Sequence, residues 1–236
     1  KMIKERKVLV TGSSDGIGRS ITVSLLNSGA KVIGLARDHS KFNPETKNYI
    51  KYKTDFSNEE ILLNTIAKII KDHKDLDCLV SNAGFGRFGT LETFSTKEIN
   101  DFIFTNLTSH MILTNKILPH LKKIRKGNII FIGSESALKG GKNGSLYSAA
   151  KFGLRGFSQS IREESCSKNI HVSLINPGMV RTSFFNNLDF MPGEDKSNAI
   201  EPDDIGKIII DILSTRNGSV IEEINLSPLK KVIKFL

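Results

Sequence analysis

Tyr147 and Lys151 stand four residues apart in Tyr147-Ser148-Ala149-Ala150-Lys151, which in a helix puts a phenol and an ammonium on one face. Such a pair can move a proton. A free tyrosine titrates at about 10, and a nearby cation favours the phenolate and brings the group toward the neutral range. Alone, the spacing is also a common surface coincidence, so its weight depends on its company.

A second chemical feature lies near the start. An apolar run ends in Thr11-Gly12-Ser13-Ser14-Asp15-Gly16-Ile17-Gly18-Arg19, with glycines where a strand would turn into a helix. Glycines let the backbone approach a pyrophosphate, and the helix N-terminus behind them offers free N–H groups and a positive dipole end. The spacing, G-x-x-x-G-x-G, differs from the common G-x-G-x-x-G dinucleotide fingerprint. A third feature is Ala36-Arg37-Asp38 after the next apolar run. Nucleotide-binding sheets that take NAD place an acid here for the ribose 2′-OH, whereas an arginine fork suits a 2′-phosphate. The alternative is that Arg37 is a surface residue paired with Asp38.

These residues need a scaffold, and the periodicity supplies one. Strands are expected at Lys7–Thr11, Lys31–Ala36, Tyr49–Asp55, Leu76–Asn82, Asn128–Ile132, His171–Asn176 and Ser219–Leu226. Helices are expected over 17–28, after an Asn58 cap, over 96–125 with Pro119 ending or kinking it, over 146–166, and from Glu201 to Leu213. The basic run up to Lys126 reads as a helix end before Gly127. Short apolar strands alternating with long helices make βαβ units, here a Rossmann-type, doubly wound, seven-stranded parallel sheet with helices on both faces. Residues 1–236 are read as one dinucleotide-binding domain, with the aperiodic stretch 179–200 as a cover over the substrate.

Composition narrows the choice further. The 236 residues are 39% hydrophobic and 25% charged, ordinary values for a folded globular chain. No apolar run reaches the roughly 18–20 residues of a membrane span, and the segment after Lys1–Lys7 is too polar for a signal peptide. The net charge of +9 comes from dispersed lysines, often beside acids, and tryptophan is absent, which argues against a nucleic-acid face. Five scattered histidines and two cysteines give no metal-ligand spacing and no disulfide framework, so no metal is expected, and a cytoplasmic setting fits. Cys78 and Cys166 are expected to fill the core.

Taken together, Thr11–Gly18, Ser81-Asn82-Ala83-Gly84, Asn106, Ser134, Tyr147/Lys151 and Asn176-Pro177-Gly178 resemble, in order and spacing, the short-chain dehydrogenase/reductases. The resemblance covers about residues 5–226. It implies that Tyr147 is the general acid/base, that Lys151 binds the nicotinamide ribose and lowers the tyrosine pKa, and that Ser134 steadies the carbonyl oxygen. Ser136 is a rival for that last role, but the thirteen-residue spacing to Tyr147 favours Ser134. Asn106 matches the asparagine that holds a water in the proton relay. Gly12, Ser14, Gly16, Ile17 and Gly18 match the pyrophosphate loop, Asp55 and Phe56 the adenine contacts, and Asn82, Ala83 and Gly84 the turn beside the adenine ribose. Asn82 is at least half structural in the family. Pro177, Gly178, Val180 and Thr182 match the segment against the nicotinamide.

The implied activity is an NADP(H)-dependent interconversion of a carbonyl and a secondary alcohol. A nicotinamide-sensing regulator without turnover is the rival of a different class, and the family's habit implies a homodimer or homotetramer. Two departures stand out. Asp15 sits where many NADP-using members carry a basic residue, which leaves the cofactor choice on Arg37. The end of the chain, Val220–Pro228, lacks the glycine-rich close of fatty-acid-synthesis ketoacyl reductases and looks more like broad-specificity carbonyl reductases. Phe184, Phe185, Leu188, Phe190 and Met191, with Phe85 and Phe88 opposite, point to an apolar substituent on the substrate, the alternative being that they pack the loop onto the core or form a subunit contact; Arg181 at the entrance is the one feature favouring a keto acid.

Overall fold

A computed structural model describes residues 3–236. Lys1 and Met2, the start of the segment weighed as a possible leader, lie outside the described residues.

Seven strands form one parallel sheet in the order β3-β2-β1-β4-β5-β6-β8. They are β1 (Lys7–Thr11), β2 (Lys31–Ala36), β3 (Tyr49–Lys53), β4 (Cys78–Ser81), β5 (Gly127–Ile132), β6 (Ile170–Pro177) and β8 (Glu223–Leu226). The central strands are buried on both faces, as near-continuous runs such as Val8-Leu9-Val10 and Ile129–Ile132 require. On one face α1 (Gly16–Asn27) and α6 (Pro202–Ser214) lay Ile21, Leu25, Ile205 and Ile209 against Val8, Val10 and Val32. On the other, α2 (Glu59–Asp72), α4 (Ser109–Ile124) and α5 (Ser145–Ser165) bring Leu62, Ile66, Leu113, Ile117 and Leu154 against Leu9, Leu79 and Phe131. The chain reverses direction across the sheet between β1 and β4, and the crevice at the carboxyl ends of these strands is where an open α/β sheet binds its ligand.

Several expectations are corrected. The helix over 96–125 is broken, but Pro119 is not the cause. α3 (Thr96–Ile103) passes into a π-helical turn, Phe104–Thr108, before α4, and α4 runs straight through Pro119 to Ile124. That helix stops on Arg125 in the left-handed conformation at φ 51°, ahead of Gly127, and Lys126 then pairs with Asp77 at 2.6 Å. Strands β3, β4 and β8 are shorter than expected. Residues 179–200 are not featureless: they hold β7 (Phe190–Pro192), which pairs antiparallel with an unexpected last strand, β9 (Ile233–Phe235). Cys78 is core, its thiol pushed up to about 12 by burial, but Cys166 is exposed at the turn after α5.

Candidate active site

The glycine turn is built as its chemistry requires. Gly12 and Gly16 have φ of +68° and +49°, a region closed to most side chains. A Cβ on Gly18 would stand 2.1 Å from the Gly12 carbonyl oxygen, so the first turn of α1 can press against the strand end only without one. The N–H groups of Gly12 and Ser13 donate to the Leu35 oxygen at 2.8 and 3.2 Å, tying the turn to β2. Ser14 is buried and Ile17 half-buried beside it. Asp15 caps α1, accepting from Gly16 N at 2.8 Å, and its other oxygen takes Lys41 Nζ at 2.9 Å and Ser183 Oγ at 3.0 Å. The acid that stands in place of a basic residue is thus itself paired with a lysine.

Arg37 is exposed at the end of β2. Asp38 is turned away from it, accepting from Ser40 N and Oγ at 2.8 and 2.6 Å, so the pairing that would have made Arg37 an ordinary surface residue is not formed. Asp55 closes a turn on Ser57 N at 2.9 Å, and the Phe56 ring is core. Asn82 is bonded into the scaffold. Its N–H and that of Ala83 donate to Thr11 Oγ1 at 2.8 and 2.9 Å, and its side chain donates to Thr11 O at 2.9 Å. Those bonds knit the ends of β1 and β4 at the crevice.

Asn106 lies in the π-helical turn and is 1% exposed. Its Oδ1 accepts from Phe85 N and its Nδ2 donates to Phe102 O, both at 3.1 Å. Such turns recur at functional sites because the extra residue re-aims a side chain. Here it holds the turn after β4 against the helix, and a Cβ on Gly84 would lie 2.7 Å from Asn106 Oδ1. On the far side, Gly178 N donates to Leu226 O at 2.8 Å, and Val180 is buried and bridged to Ile200. Pro177 ends β6, and Thr182 faces Gly16, whose Cβ would be 3.4 Å from that of Thr182.

Ser134, Tyr147 and Lys151 come together at the end of β5. Ser134 is 8% exposed and its Oγ accepts from Ser136 N at 3.1 Å; Ser136 lends only its main chain. Lys151 is 5% exposed, with Nζ 5.7 Å from the Tyr147 ring centre and donating to Ile132 O at 3.0 Å. The expected lowering of the tyrosine pKa is not found. Burial pushes Tyr147 up to about 12 against the pull of Ser134, with Glu135 adding to the rise, and burial brings Lys151 down to about 8. In this arrangement desolvation dominates both shifts.

The sequence did not single out His110. It is 2% exposed on α4, its Nδ1 2.7 Å from Ser81 Oγ, and burial with Lys151 nearby drives its pKa down to about 3. A lone histidine within an apolar helix pattern carried no signal of this. Nor did the sequence show that Lys231 would reach back to Glu135, next to Ser134.

The family model of the short chain dehydrogenases matches residues 6–191. The chain belongs to that family. This short-chain dehydrogenase is 34% identical over 224 residues to the 3-oxoacyl-(acyl-carrier-protein) reductase FabG of Escherichia coli (strain K12), covering 92% of this chain and 86% of the relative. It is 28% identical to the sepiapterin reductase of Chlorobaculum tepidum, covering 94% and 95%. A solved metagenomic short-chain oxidoreductase in complex with NADP superposes with a TM-score of 0.82 at 28% identity, over 98% of this chain and all (100%) of that one. An alcohol dehydrogenase from the archaeon Thermococcus sibiricus, 23% identical, shares the fold at a TM-score of 0.86 over 96% and 98% of the two chains. The short-chain dehydrogenase is therefore an oxidoreductase on a Rossmann-type sheet, and none of its helices is long and apolar enough to cross a membrane among the described residues.

Proposed function

We propose that this short-chain dehydrogenase interconverts a carbonyl and a secondary alcohol with NADP(H), Tyr147 serving as the general acid/base. The observation that carries the reading is the convergence of Ser134, Tyr147 and Lys151 at the carboxyl edge of the sheet, beside the Asn106 turn.

The residues fit a dinucleotide. Gly12, Ser14 and Gly16 to Gly18 would hold the pyrophosphate, Asp55, Phe56 and Asn82 to Gly84 the adenosine, and Pro177, Gly178, Val180 and Thr182 the nicotinamide side. Lys151 and Tyr147 would meet its ribose. Arg37, exposed and not paired with Asp38, would take a 2′-phosphate, and the 28%-identical relative solved with NADP supports the same preference. A bound reduced nicotinamide supplies the hydride.

The protein supplies the proton and the electrostatics. With a pKa of about 12 the Tyr147 phenol is protonated at neutral pH, as a proton donor to a developing alkoxide must be. The Ser134 hydroxyl donates to the same oxygen as negative charge grows there. The Lys151 ammonium, still protonated at pH 7 with its pKa of about 8, stabilises the phenolate left behind. A nicotinamide-sensing regulator would not need this complete set. Assembly into a homodimer or homotetramer belongs to the proposal as well.

The test is loss of NADPH absorbance across a panel of ketones and aldehydes, run with wild type and Tyr147→Phe. Turnover lost at least 1000-fold in the variant, with NADPH affinity retained, supports the reading. Near wild-type turnover in Tyr147→Phe overturns the mechanism, and tight NADPH binding without turnover of any carbonyl favours the regulator.

A further inference from the structure

The cover over the site is fastened at two ends. In front, Ser183 Oγ donates to Asp15 Oδ2 at 3.0 Å, which ties it to the glycine turn. Behind, the last seven residues run back along it. Lys230 N donates to Ser197 O, Gly193 N to Val232 O and Leu236 N to Asp189 O, each at 2.9 Å. Phe190, Met191 and Pro192 lie opposite Phe235, Lys234 and Ile233, and Lys234 and Lys231 pair with Glu194 and Glu135. All three residues of β9 are exposed. A strand that buries none of its own side chains adds little to a core; what it does is hold its partner in place.

What it holds is an aromatic wall. Phe190 packs edge-on to Phe88 at 5.1 Å between ring centres, and Phe88 lies 5.2 Å from Tyr147. Phe184 stands 6.0 Å from Tyr147, and a Cβ on Gly86 would come within 2.4 Å of its ring. The cations nearby in sequence are already engaged. Arg181 donates to Gly193 O and Asp195 O at 3.2 and 3.1 Å and pairs with Glu201 at 3.4 Å; Arg87 pairs with Glu98 at 2.7 Å. A carboxylate brought to this wall would be desolvated without a partner, at a cost that a flat apolar group does not incur.

We infer that the C-terminal segment Lys230–Leu236 is a specificity element: by pinning β7 it sets the Phe190–Phe88 wall against Tyr147 and selects carbonyl compounds with a flat, uncharged substituent over short keto acids. This rests on the carbonyl-reductase reading for its chemistry, but not for its geometry.

The experiment compares the full-length wild type with a variant carrying Lys231→Ala, Lys234→Ala and Leu236→Pro, all at exposed positions. Hydrogen exchange needs no activity: peptides over 186–193 should exchange at least 5-fold faster in the variant while those over 7–11 are unchanged. Unchanged exchange at 186–193 overturns the strap. With NADPH, wild type should show at least 10-fold higher kcat/KM for acetophenone than for pyruvate. The variant should lose most of that ratio through a raised KM for acetophenone, with NADPH affinity intact. A wild-type preference for pyruvate, or an unaltered ratio in a loosened variant, also overturns it. If neither compound is turned over, saturation-transfer NMR of each with the NADP-loaded protein still decides: acetophenone should bind and pyruvate should not. The reverse result, or no acetophenone binding, ends the pocket proposal separately from the chemistry.

Discussion

Lys151 Nζ donates to the main-chain oxygen of Ile132 at 3.0 Å, so the buried ammonium spends its one protein hydrogen bond on the end of β5, not on the phenol four residues away. Its pKa falls to about 8 from 10.5 because burial disfavours the charge. The unfolded chain then holds the proton more tightly, and stability rises with pH from about 8 toward 10.5. Cys78, raised to about 12, acts in the opposite sense above pH 9, so the comparison is between wild type and Lys151→Met. From pH 7.5 to 10, wild type should gain roughly 2–3 kcal/mol relative to the variant in urea unfolding. Parallel profiles would show that the ammonium is not desolvated.

Arg37→Ala should weaken NADPH by about 10–100-fold, the worth of one charge-assisted contact, and leave NADH nearly unchanged. Titration of cofactor fluorescence measures both. Equal losses would show that Arg37 does not reach the 2′-phosphate, and would turn attention to Lys41 on Asp15.

Gly18→Ala drives a Cβ to within 2.1 Å of the Gly12 carbonyl, a backbone atom that cannot step aside cheaply. Overpacking of this kind costs about 1–3 kcal/mol, or roughly 2–12 °C in Tm for a chain this size, and cofactor affinity should fall with it. Gly156→Ala is the control. Nothing lies within 4 Å of its Cβ inside α5, so helix propensity should make it neutral or stabilising by about 0.5–1 kcal/mol.

His110 gives the fold an acid weakness. Its folded pKa of about 3 lies below the ordinary 6.5, so the unfolded chain takes up a proton that the folded chain refuses, and stability is lost as pH falls through 6.5 toward 3. His110→Gln keeps a polar partner for Ser81 Oγ but does not titrate. Between pH 7 and 5 it should lose about 2 kcal/mol less than wild type. Equal losses would place the acid sensitivity in the carboxylates.

Where a local rule acts, the sequence was a good guide. Asn58 caps α2 through Ile61 N, and the turn from β1 into α1 falls on two glycines with positive φ, as their pattern required. The break at 104–108 escaped because Phe-Thr-Asn-Leu-Thr holds no glycine or proline; the visible proline lies further on, where the helix absorbs it. Strand β9 escaped because three residues show no alternation and its partner lies some 40 positions away. For Tyr147 and Lys151 the spacing was plain, but spacing says nothing of burial, and burial sets both pKa values.

The π-helical turn also fixes the angular phase of everything after it. Each residue advances a regular helix by about 100°. Removing one residue from Phe104–Thr108 would let α3 and α4 fuse into an unbroken coil and roll Leu113, Ile117 and Leu121 out of the seam they fill against the sheet. Asn106 would rotate with them, away from Phe85 N. The turn therefore works as a spacer in a gear train. Substitutions within it can be absorbed one at a time, but a change in its length throws both the core and the crevice at the strand ends out of mesh.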